Sequence, residues 1–539
     1  MTQTSAAAPD RYQKLIDIGV ALSAERDHAR LSERILIEAM EICNADGGTL
    51  YLLSEDERQL KFEIVRNRSL GIALGGTTGR PVEFPPLPLY DPEGPPNHAN
   101  VATHAVLARK TVNLGDAYLA PGFDFSGTRR FDTATGYRSR SFLTVPLANR
   151  RGAVVGVLQL INATAADGKV AAFDAADQAV VEALASQAAV AIENESLLRG
   201  QRALLEAFIK VIAMAIDRKS PYTSGHCQRV PVLTEMLAEA ANAATSGPFA
   251  GFTLDAEQMY ALHIAGWMHD CGKVTTPEYV VDKSTKLETI YDRIELVATR
   301  FEVLKREAEI ARLAGRISAA DAAARIAQYD SDRVFLAEIN RGGEAMSDTA
   351  VERLGRIAKY QWRGLDSADG AEQDFLTPDE HDNLAIRRGT LNASERAVIN
   401  DHIVATIEML EALPFPKHLR HVPEYAGGHH EKMDGTGYPK KLTREQMSAP
   451  ARMMAIADIF EALTAADRPY KAPMKLSQAM AIMTRMKADH HVDPELFDLF
   501  VTQKVYRAYA DKFLRPDQID AVDEAAALAA KPRPIQRSP

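Results

Sequence analysis

The chain has 539 residues, 46% apolar and 25% charged, and a formal net charge of −10 from 63 basic and 73 acidic side chains. That balance excludes general disorder, leaves room for roughly two to four packed domains, and argues against general nucleic-acid binding while leaving a small anionic substrate open. No stretch reaches the ~18 uninterrupted apolar residues of a membrane helix. The opening residues, MTQTSAAAPDRYQKL, lack a basic start followed by an apolar run. Cys43, Cys227 and Cys271 are too few for a disulfide framework, so a reducing cytoplasm and no membrane association are expected.

Residues 12–195 read as an α/β sensor module. Arg11 to Asn44 has helical periodicity. Two β-rich runs follow, GTLYLLSED and QLKFEIVRN, joined by a short polar turn. Seven prolines between Pro81 and Pro96 mark a loop. The runs SFLTVPLAN and AVVGVLQLIN flank Arg150-Arg151-Gly152 as a β-hairpin, apolar and β-branched enough for the centre of a sheet. The period then changes. Leu184, Ala191, Leu198, Leu205 and Ile212 recur every seven residues, while Val181, Ala188, Ile209 and Ile216 form a second stripe interrupted by Glu195 and Arg202. This predicts a connecting helix over 181–220 with a partial coiled-coil seam: either a parallel dimer coil, or two halves each packed on its own domain. From about 205 onward the chain reads as almost wholly helical, with loops at Pro439 and Pro469. The Ala-, Arg- and Glu-rich segment 283–390 reads as two or three amphipathic helices broken at RGGEAMSD, and 516–539 as a short helix and tail.

The chemistry lies in histidines and aspartates. His226 stands in PYTSGHCQRV, His269-Asp270 in AGWMHDCGK, His402 in INDHIVATIEML, His429-His430 in GGHHEKMDGTGYP, and Asp458 in AIADIFEALTAADRPYK. Most sit in apolar helical surroundings, where bare imidazole and carboxylate are expensive to bury without a partner. Imidazole and carboxylate without cysteine suit Mn, Fe, Ni or Zn, and an Asp among several His can bridge two ions of the kind that promote phosphodiester hydrolysis. Placed on a helix, His429 and His430 would point ~100° apart. Asp434-Gly435-Thr436-Gly437 has turn chemistry, with two glycines permitting positive φ and Pro439 stiffening the exit. His263, seven residues before Asp270, is a candidate supporting residue on the same helical face.

Taken together, the His269-Asp270 pair with Gly272-Lys273, the HHEKMDGTGYP segment and DIFEALTAADRPYK make residues 205–515 resemble the HD-GYP family of HD phosphohydrolases, the cyclic di-GMP phosphodiesterase type. The resemblance implies an all-α domain with a helical insertion at 283–390. It also implies two divalent transition metals, iron or manganese, held by His226, His269, Asp270, His402, His429, His430 and Asp458, with Asp270 bridging. Asp270 and Lys273 are the implied catalytic residues. Lys273, Gly437, Tyr438, Arg468 and Lys471 are the implied substrate contacts. Tyr222 stands where three-metal members carry Glu, so a binuclear centre is expected. The implied activity is hydrolysis of cyclic di-GMP to pGpG or GMP. Another cyclic dinucleotide such as cyclic GMP-AMP, and a non-catalytic relay binding a diguanylate cyclase, are the alternatives.

Residues 12–195 resemble a GAF domain, through TVNLGDAY, GTRRFDTATGYRSRSFLTVPLANRRGAVVGVLQLIN and FDAADQAVVEALASQAAVAIEN. The resemblance implies an α+β fold, an antiparallel sheet flanked by helices, that binds an unknown small ligand. Asn162, Phe173 and Asp177 fit the signature of cyclic-nucleotide members, but Ala163 and Gln178 depart from it. Asp116, Asp124, Thr128 and Thr135 are candidate pocket residues. The expected assembly is a homodimer in which the sensor controls hydrolysis through the 181–220 helix.

Overall fold

The computed structural model describes residues 7–25, 27–91, 94–219, 225–342, 345–363, 371–466 and 473–535. The chain divides into two units, Met1–Leu204 and Leu205–Pro539, and a single helix, Ala175–Lys219, runs from the first into the second. Among the described residues no helix is long and apolar enough to cross a membrane.

The first unit is an antiparallel sheet in the order Ile72–Gly75, Gln59–Asn67, Ala45–Leu53, Val154–Thr164, Phe142–Ala148, Val112–Leu114. The hairpin around Arg151 closes because Asn149 Oδ1 accepts from the amides of Arg151 and Ala153, both at 2.9 Å, while Gly152 takes φ 74°. Alternation along the strands gives the sheet two buried faces. Leu158 and Leu160 join a core formed with helices Ala7–Ala24 and His28–Ile42 and the first half of Ala175–Lys219. Val157 faces a smaller cluster that includes Val106 of helix Val101–Ala108. The proline-rich stretch, expected as plain loop, contributes one short strand, Leu87–Pro88, to the sheet edge.

Three of the four candidate pocket residues of this unit, Asp116, Asp124 and Thr135, are engaged locally; Thr128 lies in helix Ser126–Thr135. Asp124 caps its own turn through the amide of Ser126 at 2.8 Å, and Asp116 binds the Tyr118 amide at 2.9 Å and pairs with Arg140 at 3.3 Å. Thr135 donates to the Phe131 carbonyl at 2.8 Å. Asn162, at φ 58°, accepts the amides of Arg140 at 2.7 Å and Ser141 at 3.2 Å, and so fixes the loop before strand Phe142–Ala148.

The first heptad stripe of the long helix is split: Leu184 is buried and Ala191 packed in the first unit's core, Leu205 packs against the second's, and Leu198 and Ile212 are exposed. In the other stripe, Val181 and Ala188 are buried in the first unit's core, and Ile209 and Ile216 in the second's. That stripe therefore packs on its own domains and is not a seam between chains. Leu197, Leu198, Leu204, Phe208, Val211 and Ile212 remain exposed.

In the second unit, helices His226–Asn242, Ala256–Met268, Val422–Gly427 and Ala449–Thr464 surround one core with Leu262, Ile264, Ala265, Ile456 and Phe460 at its centre. Gly266 lets two of them approach closely: a Cβ there would stand 2.9 Å from Pro231 Cα. Residues 283–390 form a subdomain with its own core, in which Phe301, Leu304, Leu336, Leu354, Ile357 and Phe375 meet. Its helices are Ile294–Leu313, Ala319–Asn340, Asp348–Ala358 and Pro378–Leu384. Two departures from the helical expectation stand out here. A two-stranded ribbon pairs Gln361–Trp362 with Gln373–Asp374. The few aromatic residues of the segment are also concentrated in its centre, Phe301 lying 4.5 Å from Phe375 between ring centroids.

Candidate metal centre

All the candidate ligands but Asp458 sit at or just beyond a helix end, where a side chain can be aimed independently of the 3.6-residue period. His226 opens helix His226–Asn242 after Gly225, whose φ of 78° turns the chain into the helix. His402 opens His402–Glu411. His269 caps the end of Ala256–Met268, and Asp270 begins the 3₁₀ turn Cys271–Thr275. Asp458 alone lies mid-helix, in Ala449–Thr464. His429 and His430 are not on a helix: they lie in the turn that follows Val422–Gly427. That placement removes the constraint of a helical 100° separation and brings the two rings to 4.1 Å between centroids.

One local device orients three of the rings. The Nδ1 of His269 faces the Gly266 carbonyl at 2.7 Å, that of His429 faces Ala426 at 2.6 Å, and that of His402 faces Ile399, each three residues back. A proton donated from Nδ1 leaves Nε2 as a lone pair pointing inward. His226 reaches the same state through Glu461, which its Nδ1 meets and which also accepts from Arg229 Nε at 2.6 Å.

The inward atoms converge on Asp270. Its Oδ2 lies 3.4 Å from the Nε2 of both His226 and His269, and its Oδ1 lies 3.3 Å from His402 Nε2. Asp458 Oδ1 is 3.2 Å from His226 Nε2 and 3.7 Å from His269 Nε2. Three overlapping trios result, each with donor atoms within 4.8 Å of one another: His226, His269 and Asp458; His402, His429 and His430; and His269, Asp270 and His429, which joins the other two. The Nε2 atoms of His226 and His269 face each other at 3.3 Å, and those of His402 and His430 at 3.2 Å. Lone pairs at that separation repel unless a cation lies between them. Two ligand nitrogens on one ion at about 2.1 Å each come about this close. Asp270 Oδ1 and His429 Nε2 are buried with no hydrogen-bond partner among the described residues, the condition a coordinating ion relieves. The donor set therefore fits metal ions.

The electrostatics divide the imidazoles: burial would lower His226 and His269, but Asp270 and Asp458 raise the first well above the ordinary imidazole range and hold the second up at about 9, so the carboxylates demand a positive charge among them. Burial holds His429 down at about 4 and pushes His430 well below the ordinary imidazole range, so both are neutral ligands at neutral pH. Burial would raise Asp270, but Lys273 and the neighbouring imidazoles hold its carboxyl well below the usual range. Lys273 Nζ touches Asp270 Oδ2 at 2.6 Å. Burial alone would lower this ammonium, yet Asp270 raises it, so it keeps its charge at the rim of the centre.

The segment after the His pair forms one wall. Asp434 Oδ1 accepts from the Thr436 amide at 2.9 Å, and Gly435 takes φ 79°. Gly437 serves a different purpose from the positive φ expected of it: a Cβ there would come within 2.5 Å of Glu431 Cα, so the glycine permits close packing. The Tyr438 ring stacks on His430 at 4.9 Å and 21°. Arg468, Lys471 and Tyr222 lie outside the described residues. His263 does not support the centre: its Nδ1 pairs with Glu235.

Sequence reasoning missed Glu461 and Glu431. Glu461 had a signal, since it lies three residues after Asp458 on one helix and so shares its face. Buried Glu431 accepts the amides of Lys440 at 2.7 Å and Leu442 at 2.9 Å, which a local reading of the turn does not reveal.

Comparison with known proteins divides along the same boundary as the fold. Residues 27–192 match the GAF domain family, and residues 375–496 match the HD domain family. The HD match contains His402, His429, His430 and Asp458. His226 and His269-Asp270 precede it, on the far side of the subdomain. The chain is 38% identical over 133 residues (24% of this chain, 29% of the relative) to 3'3'-cGAMP-specific phosphodiesterase 1 of Vibrio cholerae. It is 40% identical over 110 residues (20% and 23%) to 3'3'-cGAMP-specific phosphodiesterase 3 of the same organism. A cyclic di-GMP phosphodiesterase of Pseudomonas aeruginosa is 45% identical over 73 residues (14% and 17%). The chain thus spans less than a third of the length of these relatives. It carries a GAF domain followed, beyond the long helix, by an HD domain similar to those of cyclic-dinucleotide phosphodiesterases.

Proposed function

We propose that this chain is a sensor-regulated, metal-dependent phosphodiesterase that hydrolyses a cyclic dinucleotide, cyclic di-GMP in the first instance, in the cytoplasm. The observation that carries the reading is Asp270, whose Oδ2 lies against His226 and His269 and whose Oδ1 lies against His402, within a cluster of donor trios that share His269 and His429. His226, His269, Asp270 and Asp458 would hold one ion, and Asp270, His402, His429 and His430 the other. Bound ions there supply an activated water and charge stabilisation for an in-line displacement at phosphorus. A donor set of imidazole and carboxylate without thiolate suits Mn, Fe, Ni or Zn, and the resemblance to the HD-GYP family selects iron or manganese among them.

The chain's own residues do the rest. Lys273, charged and tied to Asp270, is placed to neutralise a phosphate oxygen that enters the centre. Tyr438, stacked on His430, offers an aromatic face to a base. Arg468 and Lys471 are assigned to the second phosphate. Opening one ester gives linear pGpG, and a second round gives GMP. A second reading, 3'3'-cGAMP as substrate, is favoured by the names of the relatives just described.

The exposed face of the long helix is assigned to a second copy of the chain in a parallel homodimer. Leu197, Leu204 and Val211 repeat every seven residues, with Phe208 between them. Each such side chain contributes about 1.5–3 kcal/mol when fully buried, so the stripe on both chains can offset an association cost of about 4–15 kcal/mol. The GAF domain is assigned a small ligand that tunes hydrolysis.

Product chromatography tests the activity. Protein loaded with manganese or reduced iron is incubated with cyclic di-GMP and, separately, with 3'3'-cGAMP. Appearance of the linear dinucleotide from either supports the reading and ranks the substrates. No turnover of either by protein carrying metal refutes it.

A further inference from the structure

The last turn of the long helix reaches the backbone that carries the metal centre. Lys219, its final residue, directs Nζ at three main-chain carbonyls: Val274 and Thr276, both at 2.6 Å, and Lys273 at 3.3 Å. An ammonium has three protons, and three carbonyls are what it can satisfy. These carbonyls belong to the turn that begins immediately after Asp270 and contains Lys273. Two residues earlier, buried Asp217 accepts the Gly225 amide through Oδ2 at 3.1 Å. Gly225 caps the helix that His226 opens. One helical turn therefore grips the two segments that supply His226 and Asp270.

The turn it grips has little freedom elsewhere. The Gly272 amide donates to Thr406 Oγ1 at 2.9 Å, and a Cβ on Gly272 would stand 2.5 Å from the Thr406 amide and press on the His402 carbonyl. The turn is thus wedged between the helix opened by His402 and the Lys219 ammonium. Neither Lys219 nor Asp217 is a candidate ligand. Both act on backbone, so their effect falls on where Asp270 and Lys273 stand.

We infer that Lys219, assisted by Asp217, is a positioning residue for the metal centre, through which any displacement of the long helix's end is delivered to Asp270 and Lys273. This rests on the phosphodiesterase reading above for its catalytic consequence, though not for its structural one. It also names the point at which control reaches the centre: chiefly the turn Cys271–Thr275, with the Gly225 cap before His226 held by Asp217 beside it.

The test uses the full-length, manganese-loaded chain with Lys219→Met, which keeps the aliphatic stem and removes the ammonium, and Lys219→Arg, which restores a cation. Groups that orient metal ligands are typically worth about 10–100-fold in affinity or activity. The expected result for Lys219→Met is a fall of about tenfold in kcat on cyclic di-GMP. KM and manganese content should stay within twofold of wild type, and Lys219→Arg should recover most of the loss. Amide hydrogen exchange supplies a readout independent of turnover. Lys219→Met should accelerate exchange at the amides of Lys273 and Thr276 while leaving those of Ala449–Thr464 unchanged. Unchanged exchange at the turn overturns the inference even if the wild-type chain has no phosphodiesterase activity. If the wild type is active, a kcat within twofold of wild type, or a loss that Arg does not recover, also overturns it. An inactive wild type with accelerated exchange in the variant sinks only the choice of reaction.

Discussion

At the scale of single residues, Asp270 and Glu461 separate holding a metal from aiming a ligand. Asp270 faces both imidazole sets, so Asp270→Ala should lose most bound metal and all measurable hydrolysis while the helical circular-dichroism signal persists. Elemental analysis beside turnover checks this, and near wild-type turnover would remove Asp270 from the centre. Glu461 touches no candidate ion. It takes the Nδ1 side of His226 and the Arg229 guanidinium, and its own carboxyl, pushed up by burial, is brought below the usual range by those two partners. Glu461→Gln keeps the shape and removes the charge that holds the His226 tautomer, so metal affinity or kcat should fall by about 10–100-fold. Manganese titration with a fluorescent competitor reads the first and steady-state kinetics the second. Much of this centre was legible in the sequence because imidazole and carboxylate in apolar surroundings demand partners, whatever the fold. The partners of those ligands were less legible. The i−3 carbonyls serving His269, His402 and His429 are main-chain atoms, and no side-chain pattern announces them.

At the scale of elements, the subdomain 283–390 departs furthest from its sequence. Its composition suggested two or three amphipathic helices, and four are present among the described residues, because Ala, Arg and Glu dominate and mark neither the helix count nor a separate core. Chain reversal gathers the apolar residues: Phe375, distant in sequence from Phe301, closes the core that the helix pair begins. The arginine content is likewise not all surface. Arg300 is buried and binds Glu380 with two parallel hydrogen bonds, at 2.6 and 2.9 Å, while also donating to the Phe375 carbonyl at 2.8 Å. Removing one partner of such a pair leaves a buried uncompensated charge, at a cost of about 3–5 kcal/mol. Glu380→Ala should therefore raise amide exchange across Ile294–Leu313 and Asp348–Ala358, with helix His402–Glu411 little affected. The same pair sets a pH dependence. Burial raises the Glu380 carboxyl, but its bonds to Arg300 and to the Thr377 amide outweigh this and leave it below the ordinary 4.5. A lowered folded-state value means that this stabilisation is complete above the unfolded-state range and is lost as pH falls through the folded one. Exchange in the subdomain should thus rise on acidification below about pH 4.5, and Glu380→Ala should flatten that response. A pH profile identical in the variant would show that the pair does not govern it.

For the molecule as a whole, the question is what a continuous helix between a GAF domain and an HD domain can carry. Heptad spacing showed that a helix links the two domains, but it could not say which stripe faces where, because Val181, Ala188, Ile209 and Ile216 have the same period as a coiled-coil seam. Their burial in the two domain cores assigns that stripe to intrachain packing, while Leu197, Leu204, Phe208 and Val211 stay exposed on the face proposed above for a second chain. Leu204→Lys with Val211→Lys should accordingly shift the chain from dimer to monomer by sedimentation. The domain cores should stay folded, since neither position belongs to them. Four residues inserted at Gly200 make a sharper test. Four residues advance a helix by about 400°, a net rotation of about 40°. The insertion therefore lengthens the helix, turns the face following Gly200 away from the one preceding it, and leaves every candidate ligand in place. A helix that passes a signal through two discrete arrangements should respond with basal hydrolysis altered at least severalfold and the dimer weakened. Seven inserted residues, which restore the face to within about 20°, should return both toward wild type. Turnover and sedimentation of the two insertions, measured side by side, decide the matter. Equal behaviour of the four- and seven-residue insertions would mean that the rotational setting of the helix carries no information, and control would then have to pass by another route.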